Sequence, residues 1–131
     1  MRITGIHHCS IKVTDMEAAA RFYQAVLGLQ EIAIPTTFVP AGLHVRWFVL
    51  GEQQIHLMPS DVPDILSSRH FALHVDDAQA AREHLRRHDV EFQETTTIPG
   101  ADRIFLHDPD GNLIELIHWQ EPYRDVPLTE Q

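Results

Sequence analysis

The sequence predicts an α+β fold built from two copies of one unit, a strand, a helix and three further strands. Three observations carry that expectation. The segments VTDMEAA (13–19) and VDDAQAA (75–81) align when the second half of the chain is laid on the first, and each follows an alternating run and opens a helical pattern. Tight turns at LGEQ (50–53) and DPDGN (108–112) set Gly51 and Gly111 at matching places in the two halves, each where a hairpin needs positive φ. The chain of 131 residues is long enough for one compact domain with its own core and too short for two.

The elements follow in order. A first strand covers 7–13. The helix after it is capped by Thr14 or Asp15, with Glu17 completing a capping box from Thr14; apolar residues recur at 16, 19, 20, 23, 26 and 27, and Gly28 ends it. Strands are expected at 29–34, 43–50 and 53–58, with a proline-containing loop at 35–42. The segment 59–68 joins the halves. The second unit opens with RHFALHV (69–75). Its helix spans 77–88 with Ala78, Ala81 and Leu85 inward, and strands follow at 90–97, 102–107 and 113–119. The chain thus reads as a single domain, 1–131, with repeat units at 3–60 and 69–119 and a tail at 120–131.

Composition narrows the function. Ten basic residues against nineteen acidic ones give a net charge of −9, and no stretch concentrates Lys and Arg as a phosphate-binding face requires, so nucleic acid is not an expected partner. No apolar run approaches about 18 residues and no signal-peptide pattern opens the chain, so no membrane association is expected and the cytoplasm is the expected location. The single cysteine, Cys9, excludes an intrachain disulfide and any CxxC motif, and its apolar strand points to burial rather than to a reactive thiol. The one excess is histidine, ten in all. Imidazole is both a metal ligand and a proton carrier near neutral pH.

Strand register sorts those histidines. Alternate side chains share a face, so in HHCSIKV the residues His7, Cys9, Ile11 and Val13 suit packing under a helix, whereas His8, Ser10 and Lys12 suit a wet concave surface. In RHFALHV the same test separates Phe71, Leu73 and Val75 from His70, Ala72 and His74. The alignment of the halves makes His70 the counterpart of His8. In QQIHLM, His56 faces away from the packed Ile55 and Leu57. Its counterpart in the second half, by nearly the same shift, is Glu115, a lone carboxylate in the apolar run NLIELIHW. A strand histidine taken alone is an ordinary surface or hydrogen-bonded residue. Four repeat-related residues on the unpacked face, one of them a carboxylate that needs a cation if buried, point to a divalent metal site of His8, His56, His70 and Glu115. His74 and His107 are candidates for supporting or substrate contacts.

The duplicated units, IHHCSIKVTD followed by a helix and LG, RHFALHVDD and the closing DPDGNLIELIH together resemble the vicinal oxygen chelate superfamily, which includes glyoxalase I, fosfomycin thiol transferases, methylmalonyl-CoA epimerase, extradiol dioxygenases and bleomycin resistance proteins. The resemblance runs from Ile3 to Trp119. It implies a cupped mixed sheet made by the two βαβββ units, and a metal held by the first and fourth strands of each half, the positions of the same four residues. A three-His, one-Glu set departs from glyoxalase I, which has Glu where this chain has His56, and suits Fe, Mn, Ni or Zn. Lys12 falls where glyoxalase relatives carry a glutathione-contacting arginine, and Arg124 near an anion-contacting arginine of fosfomycin transferases. Arg103, Phe105 and His107 alternate along one strand and can line the cup together with Ser10, Lys12 and His74. Small one-module members further imply a homodimer whose sites are shared between chains.

The activity expected from this is a metal-dependent, glyoxalase-type lyase or isomerase acting on a small substrate with vicinal oxygens, with Glu115 as ligand and proton-transfer base. The alternatives are an Fe(II) ring-cleaving dioxygenase using His8, His70 and Glu115, and a non-catalytic, resistance-type small-molecule binding protein.

Overall fold

The computed structural model describes residues 1–121. The elements in order are β1 (His8–Val13), α1 (Met16–Arg21) continued by a π-helical turn (Phe22–Val26), β2 (Gln30–Ile32), β3 (Arg46–Leu50), β4 (Gln53–Pro59), β5 (His70–His74), α2 (Ala78–Arg87), β6 (Phe92–Glu94), β7 (Ala101–His107) and β8 (Leu113–Trp119). Two repeats of strand, helix and three strands are therefore present, as the sequence predicts. The strands form two four-stranded sheets of equivalent order, β1-β4-β3-β2 and β5-β8-β7-β6. In the first, β1 and β4 run parallel, while β3 pairs antiparallel with both β4 and β2. The strands at 29–34 and 90–97 shrink to three residues each. Both lie at a sheet edge with one hydrogen-bonded neighbour, so each has ladder hydrogen bonds on one side alone.

Two compact units divide the contacts: Met1–Phe71 with His107–Leu113, and Ala72–Leu106 with the residues from Ile114 onward. In the first unit, Ile11, Val13, Ala19, Ala20, Phe22, Tyr23, Phe48, Ile55 and Leu57 form the core. Asp15 caps α1 by accepting from the Ala18 amide at 3.0 Å. The capping box expected from Thr14 does not form, because Thr14 gives its amide and hydroxyl to Asp110 at 2.9 and 2.6 Å and Glu17 pairs with Arg46. Beyond Arg21 the Leu27 amide reaches back five residues to the Phe22 carbonyl, and the widened turn lets consecutive Phe22 and Tyr23 both enter the core.

The turn at 108–112 is organised by buried Asp108. Its carboxylate accepts from the Tyr23 hydroxyl at 2.9 Å, from the amides of Asp110 and Asn112, and from the Asn112 side chain. Gly111 sits at φ +87, and a Cβ there would lie 2.9 Å from Leu66 Cδ2. The positive φ is what calls for glycine, since the exposed end of Leu66 can move aside.

In the second unit α2 is capped by Asp77, and its Ala78 and Leu85 join Ile104, Leu106, Ile114 and Leu116 in the buried core. Ala81 is only half-buried. The inner face instead carries Arg82, whose guanidinium bonds Glu94 at 2.7 Å through Nε and Asp102 at 2.7 Å through a terminal nitrogen. These hydrogen bonds hold both carboxyls below their ordinary values of 4.5 and 3.8. Depressed native values mean that the stabilisation is complete above those ordinary values and is lost as the pH falls through the lower native ones. Arg82→Met keeps the apolar stem and should cost about 1–2 kcal/mol, since solvent reaches both carboxylates and screens part of the interaction. The loss should shrink as the pH falls from 5 to 3. Urea unfolding at stepped pH checks both expectations.

Candidate metal centre

His8 and His70 are the first residues of β1 and β5, and both are exposed. Each has its Nδ1 engaged. The Nδ1 of His70 lies 2.8 Å from the Ser68 carbonyl oxygen; a carbonyl only accepts, so Nδ1 carries a proton and donates. The Nδ1 atoms of His7 and His8 are 2.8 Å apart, one ring donating to the other. Metal-binding imidazoles are oriented by hydrogen bonds of this kind at the nitrogen away from the metal.

His56 is buried, at 6% exposure, despite facing away from the apolar side of β4. A column of rings covers it. Its imidazole stacks on Trp47 at 3.9 Å with planes 1° apart and on His8 at 4.0 Å with planes 18° apart, and Nε2 donates to Gln54 Oε1 at 2.7 Å. Pairing produces the column: Trp47 stands opposite His56 across β3 and β4, and His8 opposite Gln54 across β1 and β4. Burial, then the nearby His8 and His7, pull the His56 pKa down to about 4, so the ring is neutral at physiological pH. A ring nitrogen offers its lone pair within the ring plane. Two near-parallel stacked planes share no point within the ~2.1 Å bonding reach of both rings. As arranged, His56 does not present a nitrogen beside that of His8.

Glu115 is equally buried, at 6% exposure, on β8. Arg103 on β7 sets a terminal nitrogen 3.3 Å from its Oε1, is itself fixed by two bonds to the Thr96 carbonyl, and lies over the Phe105 ring at 5.6 Å. The buried carboxylate therefore has a cation from its own chain. His74 accepts from the Trp119 amide at 3.4 Å, and His107 is exposed at the end of β7. Arg124 lies outside the described residues.

Ser10, Lys12 and His70 line a cavity of about 440 Å³ with Asp64, Arg69 and Asn112. Two of its walls are cationic, Arg69 being paired with Asp64 at 3.0 Å. Cys9 also lines it, half-buried, and burial pushes its thiol up, away from reactive thiolate. Within the first unit the predicted residues thus include His8 stacked on His56, and His70 on a cavity with Ser10 and Lys12; within the second, Glu115 lies beside Arg103, which covers Phe105. Among the described residues no three His, Cys, Asp or Glu side chains of one chain gather closely enough to hold a metal ion. Sequence reading missed Trp47, Gln54 and Asp108. Pairing β3 with β4 about Gly51 places Trp47 opposite His56, a signal the sequence did carry.

A family model described as the Glyoxalase/Bleomycin resistance protein/Dioxygenase superfamily matches residues 5–116. The chain belongs to that superfamily. Among solved structures, it is similar to a protein of Bacillus anthracis assigned to the glyoxalase family, with 26% identity and a TM-score of 0.82 over 90% of this chain and 97% of that one. The fold also matches the fosfomycin resistance protein FosX of Listeria monocytogenes, at 21% identity and TM-score 0.75 over 89% and 94% of the chains. Lactoylglutathione lyase of Agrobacterium tumefaciens matches at 18% identity and TM-score 0.71 over 92% and 97%. A mutant of that FosX was solved with Mn(II) and 1S,2S-dihydroxypropylphosphonic acid. No curated protein is a significant sequence match. In this superfamily member no described helix is long and apolar enough to cross a membrane.

The Arg103–Glu115 contact is measurable by itself. Arg103→Met, Glu115→Leu and the double variant, compared by chemical unfolding of metal-free protein, should give a coupling of about 1–3 kcal/mol, because the pair is largely shielded from solvent.

Proposed function

We propose that this protein is a metal-dependent enzyme of the glyoxalase type, a lyase or isomerase acting on a small, anionic substrate with vicinal oxygens. The observation that carries the reading is the donor set: repeat-related His8 and His70, each with Nδ1 tied, and the buried carboxylate Glu115. Two imidazoles and a carboxylate fit a borderline divalent ion such as Fe, Mn, Ni or Zn. That no three such side chains of one chain gather among the described residues supports a homodimer in which His8 of one protomer completes a site with His70 and Glu115 of its partner. A bound divalent ion there supplies a Lewis acid that chelates two neighbouring oxygens and offsets the negative charge developing on them.

The remaining chemistry belongs to the protein. Lys12, on the wall of the cavity that His70 lines, attracts and orients an anionic substituent. Ser10 offers a hydroxyl to the same ligand. Arg103 fixes one oxygen of Glu115, so the carboxylate keeps one orientation while it accepts and returns a proton next to a carbonyl.

One observation favours a second reading. With the Nε2 of His56 donating to Gln54, the ligand set becomes two His and one carboxylate, the set of non-haem Fe(II) oxygenases, and a ring-cleaving dioxygenase follows. Lys12 in the cavity, where Arg69 is paired with Asp64, suits an anionic, oxygen-rich substrate better than a neutral catechol ring, which keeps the lyase or isomerase first.

Protein purified without tag or chelator should contain one divalent ion per chain. His8→Ala and Glu115→Ala chains should each lose it, and every mixed dimer of the two should regain one site of its two. Tight metal binding by a monomer overturns the shared site. Turnover is expected with hemithioacetals or acyl-CoA epimers on nickel-, cobalt- or zinc-loaded protein. Oxygen uptake with catechol cleavage by iron-loaded protein would replace this reading with the dioxygenase, and inactivity in both assays would leave a binding protein.

A further inference from the structure

Resting on the reading of His8 as a ligand, we infer that Trp47, His56 and Gln54 form a positioning column that fixes the His8 ring, and that His56 supports the metal without bonding to it. The column is continuous. Phe38 meets Trp47 edge-on at 5.4 Å, Trp47 stacks on His56, and His56 stacks on His8. His8 itself is exposed, so packing alone leaves its ring free to turn; the flat face of His56 beneath it and the Nδ1 bond to His7 at its edge are what restrict it.

Each part of the column has a reason for its residue type. A stacked ring restrains the tilt of its neighbour, and a bonded nitrogen restrains rotation within the plane. His56 does both, with faces against Trp47 and His8 and its Nε2 held by Gln54. An aliphatic residue at 56 would fill the volume but offer no flat surface. Gln54 is placed for its role by β-sheet pairing, since as the partner of His8 in the parallel ladder it stands on the same face, two residues before His56. Trp47, the partner of His56 in the antiparallel ladder, closes the other side. Because lone pairs lie in ring planes, the stacking that steadies His8 also turns the His56 lone pair away from any ion bound in the plane of His8. Support and ligation by His56 are alternatives, and the geometry selects support.

The test compares His56→Phe with His56→Ala. Phenylalanine keeps a flat ring and removes every ligating atom; alanine removes both. Manganese and zinc affinity, by calorimetry on untagged protein, should change less than about threefold in His56→Phe and fall about tenfold or more in His56→Ala, the range seen when groups that orient a metal ligand are lost. Gln54→Met and Trp47→Leu should each weaken binding in the same direction, which keeps the test open if His56→Ala fails to fold. Loss of the ion in His56→Phe as complete as in His8→Ala would establish His56 as a ligand and overturn the inference. Undiminished affinity in His56→Ala would overturn it from the other side. The column is also read without metal: in metal-free wild-type protein the His8 ring carbon protons should be shifted upfield by the ring current of His56, a shift retained in His56→Phe and abolished in His56→Ala. An unshifted His8 ring refutes the column. A wild-type protein that binds no ion but keeps the shift refutes the proposed function and the supporting role, while the stack stands.

Discussion

The parallel pairing of β1 with β4 is the constraint on which the histidine column depends. β4 lies between β1 and β3 and is hydrogen-bonded to both, so its register fixes three strands at once. That register sets His8 opposite Gln54 and Ser10 opposite His56, with Ile11 and Leu57 paired on the buried face. A slip of one residue would turn Ile55 toward His8 and His56 into the core. Parallel neighbours cannot be joined by a tight turn. The crossover between them consists of α1, its π-helical extension, β2 and β3, which supply Tyr23, Phe48 and Trp47 around the pair.

Burial of polar groups is handled in the same way throughout. Among the described residues no buried side-chain nitrogen or oxygen lacks a hydrogen-bond partner. Arg82 is shared between Glu94 and Asp102, and Asp108 is satisfied by a phenol, two amides and an asparagine. The repeat-related pair His56 and Glu115 is the most informative case. Both are buried to the same degree on the fourth strand of a unit. The imidazole is accommodated by becoming neutral between two flat rings, the carboxylate by taking a guanidinium partner. Duplicated positions have thus acquired different chemistry, one suited to support and the other to charge.

Much of this was legible from periodicity. Period-two alternation identified β1, β4, β5 and β8, although on β4 and β8 the face read as unpacked holds the buried His56 and Glu115, and the helix start at Asp77 followed from the repeat of VTDMEAA in VDDAQAA. Thr14 was harder to read, since its partner Asp110 lies far along the chain and competes with the local cap. Arg82 was passed over because a long cationic side chain on a helix is normally exposed; here two carboxylates from other strands make burial possible.

By itself the sequence determined the duplicated strand, helix, three-strand order, the faces on which His8, His70 and Glu115 stand, and membership of a superfamily, because these rest on local periodicity, turn chemistry and motifs contiguous in the chain. Only the tertiary structure decided what each of those residues touches. Register across β1, β4 and β3 put Trp47 and Gln54 around His56, and the approach of Arg103 gave Glu115 its counter-charge. The physical reason is that a ring's orientation and a carboxylate's partner are set by neighbours distant in sequence, and no local pattern encodes the distance between them.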